Sequence, residues 1–430
     1  MDYTQQLLHA IPGGSHTYSR GYDQYPSNAP QILKNGKGAY VYDNEDNEFL
    51  DYGMALRSVC IGYANERVNK AAIKQIEYGN NLTRPSMIEL HAAQTLINAI
   101  DSIDMVKFAK NGSSATSAAI KLSRAYTGRT LIARCLEHPF FSYDDWFIGS
   151  TIVKRGIPTN IQNDTLTFNY NNIGSLEKLF NKYKNKIACV ILEAANLEHP
   201  KENFLQDVRD LCTKNNTIMI LDEMITGFRW HIKGAQHYYN ITPDLCTFGK
   251  AMANGFSLAA VGGKRDIMQL GSIEFEGTER VFLLSAAHGA EMSPLGAFIE
   301  TYKMMVEFNV VNYLWEYGKS LMTAMNNIAK DLNISKNFIA TGIECQPYIL
   351  TFDNKGINSL EFKTLFMQEM IRNKILFPCI SMSFSHKEVE LEKTINAIYK
   401  SLEVYKKALK DGVKNYLLGP AIKPVFRKFN

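Results

Sequence analysis

Between about residues 56 and 300, short apolar runs at 106–108, 130–133, 188–192, 217–221 and 258–261 alternate with longer segments of helical period. Strands that read as nearly unbroken apolar runs are covered on both faces, and their alternation with helices predicts an α/β domain built on a mainly parallel sheet. Residues 38–52 carry two β-prone stretches around an Asp/Asn-rich centre, which predicts a hairpin with a polar turn. Beyond residue 300 the pattern changes to a long helical stretch, a β-prone piece at 347–352 and an amphipathic helix over 387–410. A smaller α+β domain over 301–430 is the expectation. In open α/β sheets ligands gather outside the carboxyl ends of the strands, so chemistry is expected directly after the apolar runs.

Composition narrows the classes. With 430 residues, 46% of them hydrophobic, the chain can bury a substantial core in two or more domains. Its 47 Lys and Arg stand interspersed with 43 Asp and Glu, which argues against a partner held by its phosphate backbone, so no nucleic acid is expected. The seven cysteines are odd in number, widely spread and without metal-ligand spacing, so reduced thiols in a cytoplasmic setting and no metal site are expected. No stretch of about 18 apolar residues occurs, and the start lacks a basic flank before an apolar run, so no membrane partner is expected. Neither repeats nor low-complexity segments are present.

Three segments lie where chemistry is expected. Lys110-Asn111-Gly112-Ser113-Ser114-Ala115-Thr116 follows the run 106–108 and opens an apolar helical segment. Unpaired N–H groups at that helix start, with the hydroxyls of Ser113 and Ser114, suit a phosphate monoester; the plainer reading is a turn and an N-cap. The pattern is not GxxxxGK[ST], so a nucleotide P-loop is disfavoured. Asp222 and Glu223 follow a very apolar run, and an acid at the end of a buried strand is costly without a cationic partner. A pyridinium nitrogen is one such partner; pairing with Arg229 or capping of the next helix is the alternative. Lys250 stands in an uncharged stretch between Gly249 and Gly255, and is either snorkelling to solvent or reactive.

Taken together, IPGGSHTYSRG, NGSSATSAAIKLSRAYTGR, LDEMITGFR and PDLCTFGKAMANGF resemble the class III aminotransferases, a branch of the fold-type I pyridoxal phosphate enzymes, with a close likeness to the glutamate-1-semialdehyde aminomutase group. The likeness runs from Ile11 to about Asn430, and the 28 residues from Asp222 to Lys250 (250 − 222) match the family's interval. It implies a fold-type I architecture, with residues 1–55 joining the small domain, 56–300 forming the large cofactor-binding domain and 301–430 the rest of the small one. It further implies Lys250 as the Schiff-base lysine, Asp222 as partner of the ring nitrogen, and Gly112, Ser113 and Ser114 as the phosphate cup. Phe140 would lie on one face of the ring and Met224 on the other, although both also read as core residues. A small-molecule amino donor, a carbonyl acceptor and a homodimer with shared sites are implied as well.

The departures are informative. Near residues 285–291 relatives carry a Thr that reaches the neighbouring subunit's cofactor phosphate; here Ala286 and Ala287 stand, so either Ser285 or a backbone N–H substitutes, or the phosphate is held less tightly. Arg20 aligns with an Arg offered to the substrate carboxylate. Leu56 replaces an expected Trp and is followed by an extra cation, Arg57, while residues 377–383 (FPCISMS) lack the acid that aminomutases carry. An aminomutase must retain its intermediate through both half-reactions whereas a transaminase releases a keto product, so altered gating favours transamination of a small carbonyl compound. A weak likeness suggests surface polysaccharide or amino-sugar biosynthesis. The alternatives are a true glutamate-1-semialdehyde 2,1-aminomutase and a catalytically silent binding protein, against which the presence of Lys250 and Asp222 speaks. A nicotinamide dehydrogenase is set aside, because no GxGxxG follows an early strand.

Overall fold

The computed structural model describes residues 2–274, 276–277, 279–289 and 291–429. The chain forms two compact units, one from Met1–Asn65 with Asn312–Arg427 and the other from Glu66–Val311 with Lys428–Asn430. Along the chain, strands β1 (Leu33–Lys37), β2 (Tyr40–Asp43) and β3 (Glu48–Asp51) come first. The second unit then supplies β4 (Met105–Ala109), β5 (Leu131–Cys135), β6 (Thr165–Phe168), β7 (Ile187–Leu192), β8 (Ile218–Glu223), β9 (Leu245–Phe248) and β10 (Ala259–Gly263). Last come β11 (Phe338–Ile343), β12 (Gln346–Thr351) and β13 (Ile375–Leu376).

In the larger unit seven strands lie in the order β4-β10-β9-β8-β7-β5-β6. Only β10 runs antiparallel to its neighbours, so the mainly parallel α/β sheet expected from the apolar runs is present. Every residue of β7 and β8 is buried, which is why those runs are apolar throughout until β8 ends in Asp222 and Glu223. The helix Gly112–Thr127 packs across β4 and β7 to β10 through small side chains, among them Ala115, Ala118 and Ala119. It begins at Asn111, whose side chain accepts from the Ser114 N–H, and ends at Gly128, where φ of 66° provides the left-handed cap. On another side of the unit, the helices Glu66–Glu77 and Met87–Ala99 both pack on Met292–Glu307.

In the smaller unit β1, β2 and β3 form an antiparallel meander, and β13 joins β3 in parallel. The hairpin expected over 38–52 is the β2–β3 pair. A second hairpin, β11–β12, and the packed helices Leu360–Arg372 and Glu388–Asp411 complete this unit's α+β character.

Candidate active site

The carboxyl ends of β8 and β9 set the geometry of the larger unit's polar cluster. Strand register pairs Asp222 with Thr247. The Thr247 hydroxyl and the Met224 N–H both donate to Asp222 Oδ1, at 3.0 and 2.9 Å, and neither bond uses Oδ2. Asp222 is 1% exposed. Burial pushes its carboxyl up to about 6, against the lowering influence of the Met224 hydrogen bond, the Lys250 charge and Thr247. Glu223, one residue on, has a different task. It accepts from the Thr226 hydroxyl at 2.6 Å and from the N–H groups of Ala235 and Gln236 at 2.8 and 2.9 Å, so it caps the short helix Gly234–Tyr238. The acid that the structure leaves for chemistry is therefore Asp222.

Lys250 follows Thr247 by three residues and opens the 3₁₀ turn Lys250–Ala253 with φ of 43°, a left-handed value rarely adopted by residues other than glycine. The three segments meet at one atom. A methyl group built on Gly112 would lie 2.9 Å from Met224 Sδ, and one on Gly249 only 2.6 Å from it. The helix start, the end of β8 and the lysine segment thus close around Met224, and both glycines are needed for that approach.

At the helix start, Asn111 Oδ1 takes the Ser114 N–H at 2.9 Å and the Asn111 carbonyl takes the Ala115 N–H at 3.3 Å. Among the described residues no hydrogen bond engages the N–H groups of Gly112 and Ser113, which lie at the positive end of the helix. Lys110 is not part of that offer, because it is ion-paired with Glu291, which also accepts from Asn80 at 3.1 Å. Its ammonium holds the Glu291 carboxyl below the usual range.

The segment after β5 lies along the same helix. Ser113 Oγ accepts from the Tyr143 N–H at 3.0 Å, Thr116 donates to the Phe141 carbonyl at 2.8 Å, and Ser117 is bonded to the Asp144 carboxylate and to the Trp146 indole N–H. Phe141 is 2% exposed and belongs to the core, whereas Phe140 is 45% exposed and meets Phe147 edge-on at 5.8 Å. Beyond β7, buried Glu193 accepts from Asn196 at 2.7 Å and donates its N–H to His138 Nδ1 at 3.0 Å. Burial drives the His138 imidazole down to about 3, so it is neutral.

Ser285 is exposed, on a stretch held by Lys121 at the Phe282 carbonyl (3.2 Å) and by Asn81 at the Ala287 carbonyl (2.9 Å). Among the described residues no hydrogen bond joins Ser285 to the Gly112–Ser114 turn, and Ala290 of that stretch lies outside the described residues.

Arg20 and Arg57 belong to the smaller unit. Arg20 is exposed at the end of the 3₁₀ turn Tyr18–Arg20. Arg57 closes the turn Met54–Arg57, whose four residues all have positive φ (39, 48, 59 and 72°). At roughly 1–2 kcal/mol per non-glycine residue, such a turn persists only where its surroundings impose it. Buried Asp51 does so by accepting from the N–H groups of Gly53 and Met54 (2.7 and 3.0 Å) and from the Tyr63 hydroxyl (2.7 Å), which in turn accepts from the Ala55 N–H (2.7 Å). Burial raises the Asp51 carboxyl. Thr247, Asp51 and Tyr63 were not singled out by sequence reasoning, because their roles depend on strand register and on backbone conformation.

Comparison with known proteins adds four findings. The family model for class-III aminotransferases matches residues 22–345. Among curated relatives, the glutamate-1-semialdehyde 2,1-aminomutase of Natranaerobius thermophilus is 31% identical over 427 residues, covering 93% of this chain and 97% of that one. The 3-aminobutyryl-CoA aminotransferase of Cloacimonas acidaminovorans is 30% identical, covering 95% and 98%. Among solved structures, the FumI protein of Sphingopyxis sp. MTA144, in its PLP internal aldimine form, superposes with a TM-score of 0.87 at 22% identity, over 95% of this chain and 97% of that one.

Proposed function

This chain belongs to the class III aminotransferases and is an enzyme that uses pyridoxal 5'-phosphate, and on that premise we propose that it is a transaminase delivering an amino group to a small carbonyl compound, with Lys250 and Asp222 at the centre of its chemistry. The residues present fit the cofactor. Gly112 and Gly249 let the helix start and the lysine segment close on Met224 beside the end of β8, two helix N–H groups have no hydrogen-bond partner among the described residues, and Asp222 keeps Oδ2 outside its two hydrogen bonds. Bound, the cofactor supplies a ring that takes up the electrons released when the substrate's α-carbon loses its proton.

The chain's own groups account for the rest. The Asp222 carboxylate, fixed by Thr247 and Met224, holds a proton on the ring nitrogen; that charge is what makes an ionised carboxylate tolerable at a fully buried position. The ε-amine of Lys250 is the base that carries a proton between the two carbons of the 1,3 shift. Gly112, Ser113 and Ser114 take the phosphate, and Phe140 and Met224 flank the ring, with Ser285 of the interface segment reaching the neighbouring subunit's phosphate. Arg20 and Arg57 take the anionic group of the substrate.

Overall likeness does not choose between the activities named for the two relatives, which stand at 31% and 30% identity. The observation that carries transamination is the segment 377–383, FPCISMS, which has no carboxylate, together with Leu56 and Arg57 in the strained turn. A gate that retains the intermediate has lost its acid. Neither relative is named for a sugar substrate, so the acceptor is assigned only as a small carbonyl compound. Incubation with glutamate-1-semialdehyde alone is the test: no 5-aminolevulinate is expected until a separate amino donor is paired with a keto acceptor. Its formation at an ordinary enzymatic rate from the semialdehyde alone would establish the aminomutase instead.

A homodimer is part of this reading. Ile73, Ile76, Leu82, Met87 and Leu90 are exposed on or between the two helices that pack on Met292–Glu307, an apolar surface suited to a second copy. Seven free cysteines support a reducing, cytoplasmic setting. Among the described residues no helix is long and apolar enough to cross a membrane.

A further inference from the structure

A phosphate monoester carries close to two negative charges at neutral pH and three strong acceptor oxygens. The helix start supplies two open N–H groups and the hydroxyls of Ser113 and Ser114, while Lys110 is committed to Glu291 and alanines occupy positions 286 and 287. One more side chain stands at this place. The Tyr143 hydroxyl lies 3.4 Å from Asn111 Oδ1, and that same oxygen lies 2.9 Å from the Ser114 nitrogen, so the phenol stands at the cap of this helix start.

Three features separate Tyr143 from a packing residue. Tyr143 is 59% exposed, whereas Phe141 two positions earlier is buried, so the tyrosine contributes little to the core. Its backbone is pinned, by its own N–H to Ser113 Oγ at 3.0 Å and by the neighbouring Asp144 N–H to Ser142 Oγ at 3.0 Å, which limits where the hydroxyl can go. And its bond to Asn111 is longer than the 2.5–3.0 Å of a good O–H···O contact (a range of about half an ångström), so the phenolic proton is open to a better acceptor.

We propose that the Tyr143 hydroxyl donates to the phosphate of pyridoxal phosphate, supplying from within the same chain the side-chain donor that Ala286 and Ala287 cannot provide. The proposal rests on the reading that the phosphate sits at Gly112–Ser114. It makes Tyr143 a cofactor-binding residue, and the free aldehyde pyridoxal, which lacks the phosphate, is the ligand that isolates its contribution.

The experiment is a titration of the apoenzyme with pyridoxal phosphate and, in parallel, with pyridoxal, for the wild type, Tyr143→Phe and Ser114→Ala, with thermal unfolding of each apo form. A hydrogen bond to a charged group is worth enough to weaken binding about tenfold or more. Tyr143→Phe is expected to lose that factor for pyridoxal phosphate, to keep its affinity for pyridoxal and to melt where the wild-type apoenzyme melts. Unchanged affinity for the phosphorylated ligand, or an equal loss for both ligands, overturns the assignment. If Ser114→Ala lowers the preference for the phosphorylated ligand and Tyr143→Phe does not, only the tyrosine is misassigned. If neither variant lowers it, the phosphate does not sit at this helix start, and the placement of the phosphate falls together with the proposal.

Discussion

Asp222→Asn separates the two demands that the structure places on one carboxyl. In the apoenzyme Asp222 is fully buried, and its pKa is raised from 3.8 to about 6 by loss of solvation. The folded state therefore binds the proton more tightly than the unfolded chain does. The associated stability is fully present below pH 3.8 and is lost as the pH rises through about 6. At about 1.4 kcal/mol per pH unit, the interval from 3.8 to about 6 corresponds to about 3 kcal/mol of destabilisation at pH 7 and above. Asparagine keeps Oδ1 as acceptor for Met224 and Thr247 and carries no charge. Apo Asp222→Asn is thus expected to be more stable than the apo wild type at pH 8, by up to about 3 kcal/mol, with the gap closing toward pH 4. In the holoenzyme the order reverses, because the wild-type carboxylate gains its cationic partner and the amide does not; turnover should drop by orders of magnitude. Denaturant unfolding of both apo proteins at pH 4, 6 and 8, with transaminase assays of both holo forms, measures this. An apo variant no more stable than the wild type at pH 8 would refute the claim that burial of this charge is only partly compensated before the cofactor binds.

Gly249→Ala places a methyl group 2.6 Å from Met224 Sδ and is expected to cost about 1–3 kcal/mol and to weaken cofactor binding; combined with Met224→Ala it should cost less stability than the two single changes added together, as read by thermal unfolding. Tyr63→Phe removes the hydroxyl that joins Asp51 to the Ala55 N–H, so the strained turn Met54–Arg57 should relax at a cost of about 1–3 kcal/mol in denaturant unfolding. The same variant should raise KM for an anionic substrate more than it lowers kcat if Arg57 binds that group.

How much of this was readable from residues alone depends on what each residue answers to. Strands β5, β7, β8 and β10 announce themselves because they are enclosed and hence apolar along most of their length, while β4, an edge strand with only Ala109 buried, is legible from Met105, Val106 and Phe108 alone. β6, at the sheet edge, alternates Thr with apolar residues and does not stand out; β9 reads LCTF directly after Pro243-Asp244 and is equally quiet. The threonine that obscures β9 is the one that fixes Asp222. That bond exists only because β8 and β9 pair in one register, and a slip of one residue would turn Thr247 to the other face of the sheet. The interval from Asp222 to Lys250 marks the site in the sequence, but the atom on which its parts converge, Met224 Sδ, is a property of packing. The turn Met54–Arg57 makes the same point from the opposite side. Met, Ala, Leu and Arg are all strong formers of right-handed helix, so local preference argues against the conformation they adopt. It is imposed by a buried carboxylate and a tyrosine several residues away on either side, Asp51 and Tyr63. Where local preference is overruled at a cost on the order of several kcal/mol in this way, the strain points to a function for the turn, and the cation it carries, Arg57, is the place to look for what distinguishes this enzyme's substrate.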